Sequence, residues 1–244
     1  MFKKSRKRRS YDRFEVLSSK SSFTYSEAFK SLRTNVEFIA STENMKTLMM
    51  VSTLAGEGKT TVSINLAIAL AQNGKKVLLV DCDLRRPKVQ RYLRIKSTSQ
   101  QGVSTVLGGT SDLDNSIGYI EEMGIYVMLS GAIPPNPSEL LASERTEKLI
   151  KELESRFDYI ICDTPPVFVV ADALALSKNV DGAVLVVRQD FASRNQINEA
   201  MDKLNAVDAK IIGTVLNHYN SKIDSGYKYD KYYNYNHYYE YYQR

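Results

Sequence analysis

A chain of 244 residues with 43% hydrophobic content suits one sizeable domain with short extensions. No run of about 18 apolar residues occurs and MFKKSRKRRS leads into polar sequence, so the expectation is a cytoplasmic protein without a membrane span or signal peptide. The net charge of +5 is local: residues 1–13 hold seven Lys/Arg and one Asp, leaving 26 basic against 27 acidic residues elsewhere, a body too neutral for a nucleic-acid binder.

Residues 1–20 read as a basic, flexible, solvated arm whose charge offers attraction to anionic lipid. Within 21–45, Ala28, Leu32, Val36 and Ile39 recur at helical spacing, which predicts a helix over Ser26–Ala40 with Ser26 as N-cap. Thr47–Ser52 is a short apolar run, followed by a glycine loop and a helical pattern over Thr60–Gln72 that Gly74 ends. Lys76–Val80, Ile125–Leu129, Tyr159–Cys162, Gly182–Val187 and Ile211–Leu216 are nearly uninterrupted apolar runs, the pattern of parallel strands covered on both faces. Helical stretches at Ser143–Ser155, Asp172–Lys178 and Ser193–Asn205 lie between them, and the alternation predicts an α/β fold with a doubly wound, mostly parallel sheet. The segment Ile95–Gly124 shows no regular pattern. The apolar pattern stops after Asn217, so the domain is expected to span 46–218, with residues 219–244 as a mobile tail.

Cys82 and Cys162 each sit beside an aspartate at the end of an apolar run, as reduced, packed thiols do. His218 and His237 lack neighbours at metal-ligand spacing.

Three segments carry chemistry. In LMMVSTLAGEGKTT a strand, a glycine loop and a helix follow one another, the context in which backbone N–H groups and a helix N-terminus wrap a phosphate. Lys59 is expected to reach the β- and γ-phosphates of ATP and Thr60 to bind Mg²⁺ through its hydroxyl. Thr53 stands where the general phosphate-loop pattern has its first glycine, so this is a variant (deviant Walker A) loop of the P-loop NTPase fold. Ala55, Gly56, Glu57, Gly58, Lys59, Thr60 and Thr61, with Arg85 and Asn217, are expected around the nucleotide. In LLVDCDLRRP, Asp81 and Asp83 follow a strand and project to one side if the chain stays extended; one can hold the metal while the other accepts a proton. In YIICDTPP, Asp163 closes another strand in the manner of a Walker B carboxylate. The metal set so read is Thr60, Asp163 and one of Asp81 and Asp83.

These three elements together resemble those of the bacterial tyrosine kinases that control capsule and exopolysaccharide synthesis. Walker A, A′ and B match at Ser52–Thr61, Val80–Arg85 and Ile160–Pro165, and GVSTVLGG (Gly102–Gly109) and SGAIPPNPSELL (Ser130–Leu141) are similar to stretches typical of that group. Ala55 stands where many relatives have proline. The resemblance runs from about Ser26 through the remaining sequence, and it implies an ATP- and Mg²⁺-dependent protein-tyrosine kinase with Lys59, Asp81, Asp83 and Asp163 as catalytic residues. It makes the tyrosines among Tyr227–Arg244, nine in 18 residues, an autophosphorylation substrate: Tyr227, Tyr229, Tyr232, Tyr233, Tyr235, Tyr238, Tyr239, Tyr241 and Tyr242. The family's ExxRxxR helix, which mediates ring-like self-association, corresponds to Glu27, Lys30 and Arg33, with lysine replacing the first arginine. A membrane-spanning activator of chain-length-determinant type, a tyrosine phosphatase and other protein substrates are implied as partners, with peripheral membrane association through the activator. The rival, a septum-placement or partitioning ATPase, has a second lysine five residues before the Walker A lysine, where this chain has Leu54. A nucleotide-bound scaffold that uses the tail for protein contacts is a third, non-enzymatic class.

Overall fold

A computed structural model describes residues 14–96 and 100–220. Seven strands form one sheet in the order β3-β4-β2-β5-β1-β6-β7. They are β1 (Thr47–Ser52), β2 (Val77–Asp81), β3 (Ile117–Ile120), β4 (Ile125–Met128), β5 (Tyr159–Asp163), β6 (Gly182–Arg188) and β7 (Ile211–Asn217). All neighbours are parallel except β3 and β4, an antiparallel pair at one edge.

The apolar runs divide between two cores because successive side chains on a strand point to opposite faces. Leu48, Met50, Val77, Leu79, Ile161, Val184 and Val186 join the cluster under helices α1 (Phe23–Glu43), α2 (Lys59–Gln72) and α3 (Val89–Tyr92). Met49, Val51, Leu78, Val80, Ile160, Cys162 and Leu185 pack on the other face. That face is covered by α4 (Val103–Leu107), α5 (Pro137–Leu141), α6 (Glu144–Glu154), α7 (Asp172–Leu176) and α8 (Arg194–Asn205). Truncating a fully buried side chain such as Leu79 or Ile161 to alanine would cost roughly 2–5 kcal/mol.

Helix α6 buries Leu149, Ile150 and Leu153 and turns Glu147, Lys148 and Lys151 to solvent, a one-sided pattern. Helix α2 differs. Every residue from Thr60 to Leu70 except Thr61 is buried, which matches its mainly apolar and small sequence, TTVSINLAIAL. Helix α1 begins a turn before the expected Ser26, because the Ser22 side chain accepts from the Tyr25 N–H and caps it. The unpatterned stretch after Ile95 contains α4, a short 3₁₀ turn (Asp114–Ser116) and β3.

At the end of the segment read as an arm, Phe14–Leu17 lie against α2. Leu17 N–H donates to Asn65 Oδ1 at 2.7 Å, and Asn65 Nδ2 donates to the Glu15 carbonyl at 2.9 Å and to Tyr25 Oη at 2.8 Å. Phe14 meets the ring of Tyr92 with centroids 4.4 Å apart. Cys82 and Cys162 are buried free thiols. Among the described residues no helix is long and apolar enough to cross a membrane. Residues 1–13 and the tyrosine-rich segment 221–244 lie outside the described residues.

Candidate active site

Strands β2, β5 and β1 are consecutive in the sheet, so the A′, B and A elements end side by side at its C-terminal edge, with Asp81 the direct register partner of Asp163. The loop after β1 turns through Gly56 (φ +97°) and Gly58 (φ +87°) into α2. A Cβ at Gly58 would lie 2.0 Å from Asn217 Nδ2, so both conformation and space demand glycine there. The close approach is a bond: Asn217 Nδ2 donates to the Glu57 carbonyl at 2.8 Å. Glu57 itself turns inward, fully buried, and its carboxylate accepts from the Leu54 N–H at 2.7 Å and the Arg188 N–H at 3.4 Å. Burial raises its pKa. Arg188 Nη1 donates to the Gly56 carbonyl at 3.1 Å. The ends of β6 and β7 thus hold the shape of the phosphate loop.

Lys59 and Asp163 form a buried ion pair, 7% and 1% exposed. Thr60 Oγ1 donates to Asp163 Oδ2 at 2.7 Å, and Ser63 Oγ lies 3.0 Å from Asp163 Oδ1 and from the Lys59 carbonyl. Ser63 was not singled out from sequence; its position four residues after Lys59, on the same helical face, is the signal that would have found it.

The two A′ aspartates part company because β2 ends at Asp81 and the chain turns. Asp81 is fully enclosed. Its Oδ1 accepts from the Asp83 N–H at 3.2 Å, while Oδ2 accepts from Lys88 at 3.2 Å and Val89 at 3.1 Å, where α3 begins. Burial first, and then the Asp163 charge, push its pKa up to about 7. Asp83 accepts from the Arg86 N–H at 3.0 Å, and its pKa is raised by burial. It borders a cleft of about 50 Å³, with Ala55–Thr61 on one wall and Lys88, Tyr92 and Pro166 among the facing residues. A wider groove of about 470 Å³, lined by Glu147, Lys151, Lys178 and Asp181, lies beside α6 and the start of β6, at the sheet edge opposite the phosphate loop.

Arg85 makes a two-pronged pair with the fully buried Asp172, Nε to Oδ2 at 2.8 Å and Nη2 to Oδ1 at 3.0 Å. Ser138 Oγ lies 3.2 Å from Arg85 Nη2 and donates to Asp172 Oδ1 at 2.5 Å. This clasp joins the A′ loop to the first turns of α5 and α7. Asp172 and Ser138 are additional residues at this edge, joined to Arg85 across 87 and 53 positions. On α1, Lys30 pairs with Glu27 at 2.6 Å, while Arg33 Nη1 reaches the Ala69 carbonyl at 3.5 Å and its Nε lies 3.6 Å from Glu37. The nine tail tyrosines lie outside the described residues.

Hard oxygen donors from one hydroxyl and two carboxylates suit Mg²⁺, which keeps waters and takes few protein ligands. Among the described residues no group of three or more Asp, Glu, His and Cys side chains is arranged to hold a metal by itself.

Comparison with known proteins agrees with this geometry. Residues 45–217 match the family described as AAA domain. The chain is 38% identical over 204 residues to tyrosine-protein kinase YwqD of Bacillus subtilis, covering 84% of this chain and 85% of that protein. The kinase domain of the Escherichia coli tyrosine kinase ETK superposes with a TM-score of 0.75 at 35% identity, covering 79% of this chain and 74% of that one. The septum site-determining protein MinD of Pyrococcus horikoshii, solved with Mg-ADP, is more distant, with a TM-score of 0.62 at 26% identity over 72% of this chain and 71% of that one. By its phosphate loop and its kinship this is a nucleotide-using enzyme. With the Walker A, A′ and B elements gathered at one sheet edge, and kinase relatives matched across most of its length, the chain belongs to the bacterial tyrosine-protein kinases.

Proposed function

We propose that this kinase transfers the γ-phosphoryl group of ATP to tyrosines of its own segment Tyr227–Arg244, and thereby regulates synthesis and export of a capsular or extracellular polysaccharide. The observation that carries the reading is the meeting of Lys59, Thr60 and Asp83 at one cleft, with Asp163 bound to Lys59 and Thr60 beneath it, in a chain that also holds nine tyrosines in 18 residues.

In this reading the backbone of Ala55–Thr61 cradles the phosphates, aided by the N-terminus of α2. Lys59 leaves Asp163 to neutralise charge on the phosphoryl oxygens. Thr60, Asp83 and Asp163 would hold magnesium, which would supply positive charge beside the phosphates. A tyrosine hydroxyl has a pKa near 10, so its proton leaves late, as the phosphoryl group arrives. That proton goes to the A′ carboxylate pair, of which Asp83 borders the cleft. Asp81 acts through its neighbours: its carboxylate fixes the Asp83 N–H and the start of α3.

Glu27, Lys30 and Arg33 are carried as contacts of a ring-like homo-oligomer. A membrane-spanning activator of chain-length-determinant type would bring the kinase to the membrane, a tyrosine phosphatase would reset the tail, and other proteins would serve as further substrates.

The test is mass spectrometry of the tail peptide after incubation of purified protein with ATP and Mg²⁺. Phosphotyrosine within Tyr227–Arg244, absent in Lys59→Met, is the expected result. No phosphotyrosine in the wild type, even with an activator peptide supplied, would sink the reading. Adding active wild type to Lys59→Met separates transfer between chains, which restores the modification, from transfer within one.

A further inference from the structure

Between Leu84 and Lys96 the chain carries six basic residues and no acidic one. Arg85 is engaged by Asp172. The other five, Arg86, Lys88, Arg91, Arg94 and Lys96, all reach the surface, and among the described residues none lies within ion-pair distance of a carboxylate. Five unpaired cations on 11 residues, in a body that is nearly neutral, form a concentrated positive patch.

Its position gives it a use. Lys88 and Tyr92 line the nucleotide cleft together with Asp83. The patch is also rigidly attached there, because the Asp81 carboxylate holds the Lys88 and Val89 N–H groups from below and Phe14 packs on Tyr92 from the side. An acceptor peptide entering the cleft meets this rim.

We propose that the patch is a docking surface for the phosphorylated form of the tyrosine segment Tyr227–Arg244, from the same chain or a second copy. The proposal rests on the tail being the phosphoacceptor. Before modification that segment has three basic and two acidic residues and so no attraction to a positive rim. Each phosphate adds about −1.5 to −2 charge and three acceptor oxygens that suit arginine. Three phosphates would take the segment from +1 to roughly −4. The patch therefore distinguishes product from substrate. From Tyr232 to Tyr238 an extended chain spans roughly 20 Å, so a phosphotyrosine can rest on the patch while a neighbouring tyrosine enters the cleft. Clustered tyrosines would then be modified in runs, each phosphate holding the tail for the next transfer.

An anionic lipid surface shares part of this chemistry. It is disfavoured because a bilayer pressed on Lys88 and Tyr92 would cover the cleft through which the acceptor passes.

The test is fluorescence anisotropy with full-length, phosphatase-treated protein and two synthetic peptides of sequence 227–244, one unmodified and one phosphorylated at Tyr232, Tyr233 and Tyr238. The phosphopeptide is expected to bind about tenfold or more tighter than the unmodified one, with an advantage that shrinks as salt rises. Arg91→Glu/Arg94→Glu should remove that advantage, and Arg91→Gln/Arg94→Gln should remove part of it, with ADP binding unchanged in both to show that the fold is intact. Equal binding of the two peptides, or an undiminished advantage in the Glu variant, overturns the proposal. So does a Glu variant that loses only its binding to phosphatidylserine vesicles, which would make the patch a membrane contact. Because the phosphopeptide is supplied ready-made, failure here is distinct from failure of the tail to become phosphorylated in the mass-spectrometric test.

Discussion

Replacing Asp163 with asparagine separates the two tasks of that carboxylate. In the structure it compensates the buried Lys59 ammonium and meets the hydroxyls of Thr60 and Ser63 at 2.7 and 3.0 Å. Asparagine keeps an oxygen for one hydroxyl but removes the charge, leaving Lys59 enclosed without its partner. Breaking a buried pair in this way costs roughly 3–5 kcal/mol. The lower end applies here, because Asp163 is the second cause of the raised pKa of Asp81, and its removal lets Asp81 ionise and partly replace the lost charge. About 3 kcal/mol, at roughly 2–4 °C per kcal/mol for a chain of this size, predicts a melting temperature about 6–12 °C below wild type. Nucleotide should reverse much of this deficit. On the proposed function Lys59 leaves Asp163 to serve the phosphates; in the variant it has nothing to leave. The assay is differential scanning fluorimetry with and without saturating ADP, in EDTA so that metal at position 163 does not contribute. The expected result is a lower apo melting temperature and a larger ADP-induced rise in Asp163→Asn than in wild type. An apo variant as stable as wild type, or equal rises in both proteins, would refute the reasoning.

Three further outcomes follow from neighbouring groups. Asp81 has a pKa raised from 3.8 to about 7, so its contribution to stability is full below about pH 4 and is lost as pH rises toward 7. At 1.36 kcal/mol per unit this amounts to at most about 4 kcal/mol, and urea unfolding from pH 4 to 7 should show a flatter loss of stability in Asp81→Asn than in wild type. Asp172→Asn weakens the clasp on Arg85, and steady-state kinetics should show kcat falling with the KM for ATP unchanged; a rise in that KM alone would instead make Arg85 a nucleotide contact. Thr53 Oγ1 is buried with no hydrogen-bond partner among the described residues, so Thr53→Val should leave stability unchanged or raise it by about 1 kcal/mol in thermal melts, and a loss would mean that the hydroxyl is satisfied in solution.

The central strands were legible almost to the residue, because a strand buried on both faces writes itself as an apolar run; Thr47–Ser52 is such a case. The edge pair was not: β3 reads Ile-Gly-Tyr-Ile, is half exposed, and depends on β4 for its existence. Lys59, Thr60 and Asp163 could be named from local motifs, since each stands at a strand end or loop with its own signature. The different surroundings of Asp81 and Asp83 could not, since they depend on the chain turning after Asp81 so that α3 returns over its carboxylate. Pairings such as Arg85 with Asp172 join residues 87 positions apart, and no local pattern announces them.

The near-complete enclosure of α2 bears on how variants of this kinase are interpreted. A saturation scan across α6 should trace a stripe, tolerant on the side of Glu147 and Lys151 and intolerant at Leu149, Ile150 and Leu153. Across α2 it should trace an unbroken block, since nearly every side chain from Thr60 to Leu70 is surrounded. The helix that follows the phosphate loop is also the central beam of the domain. Inactive substitutions there will therefore mix lost catalysis with lost protein, and only a scan scored for abundance alongside activity can tell the two apart.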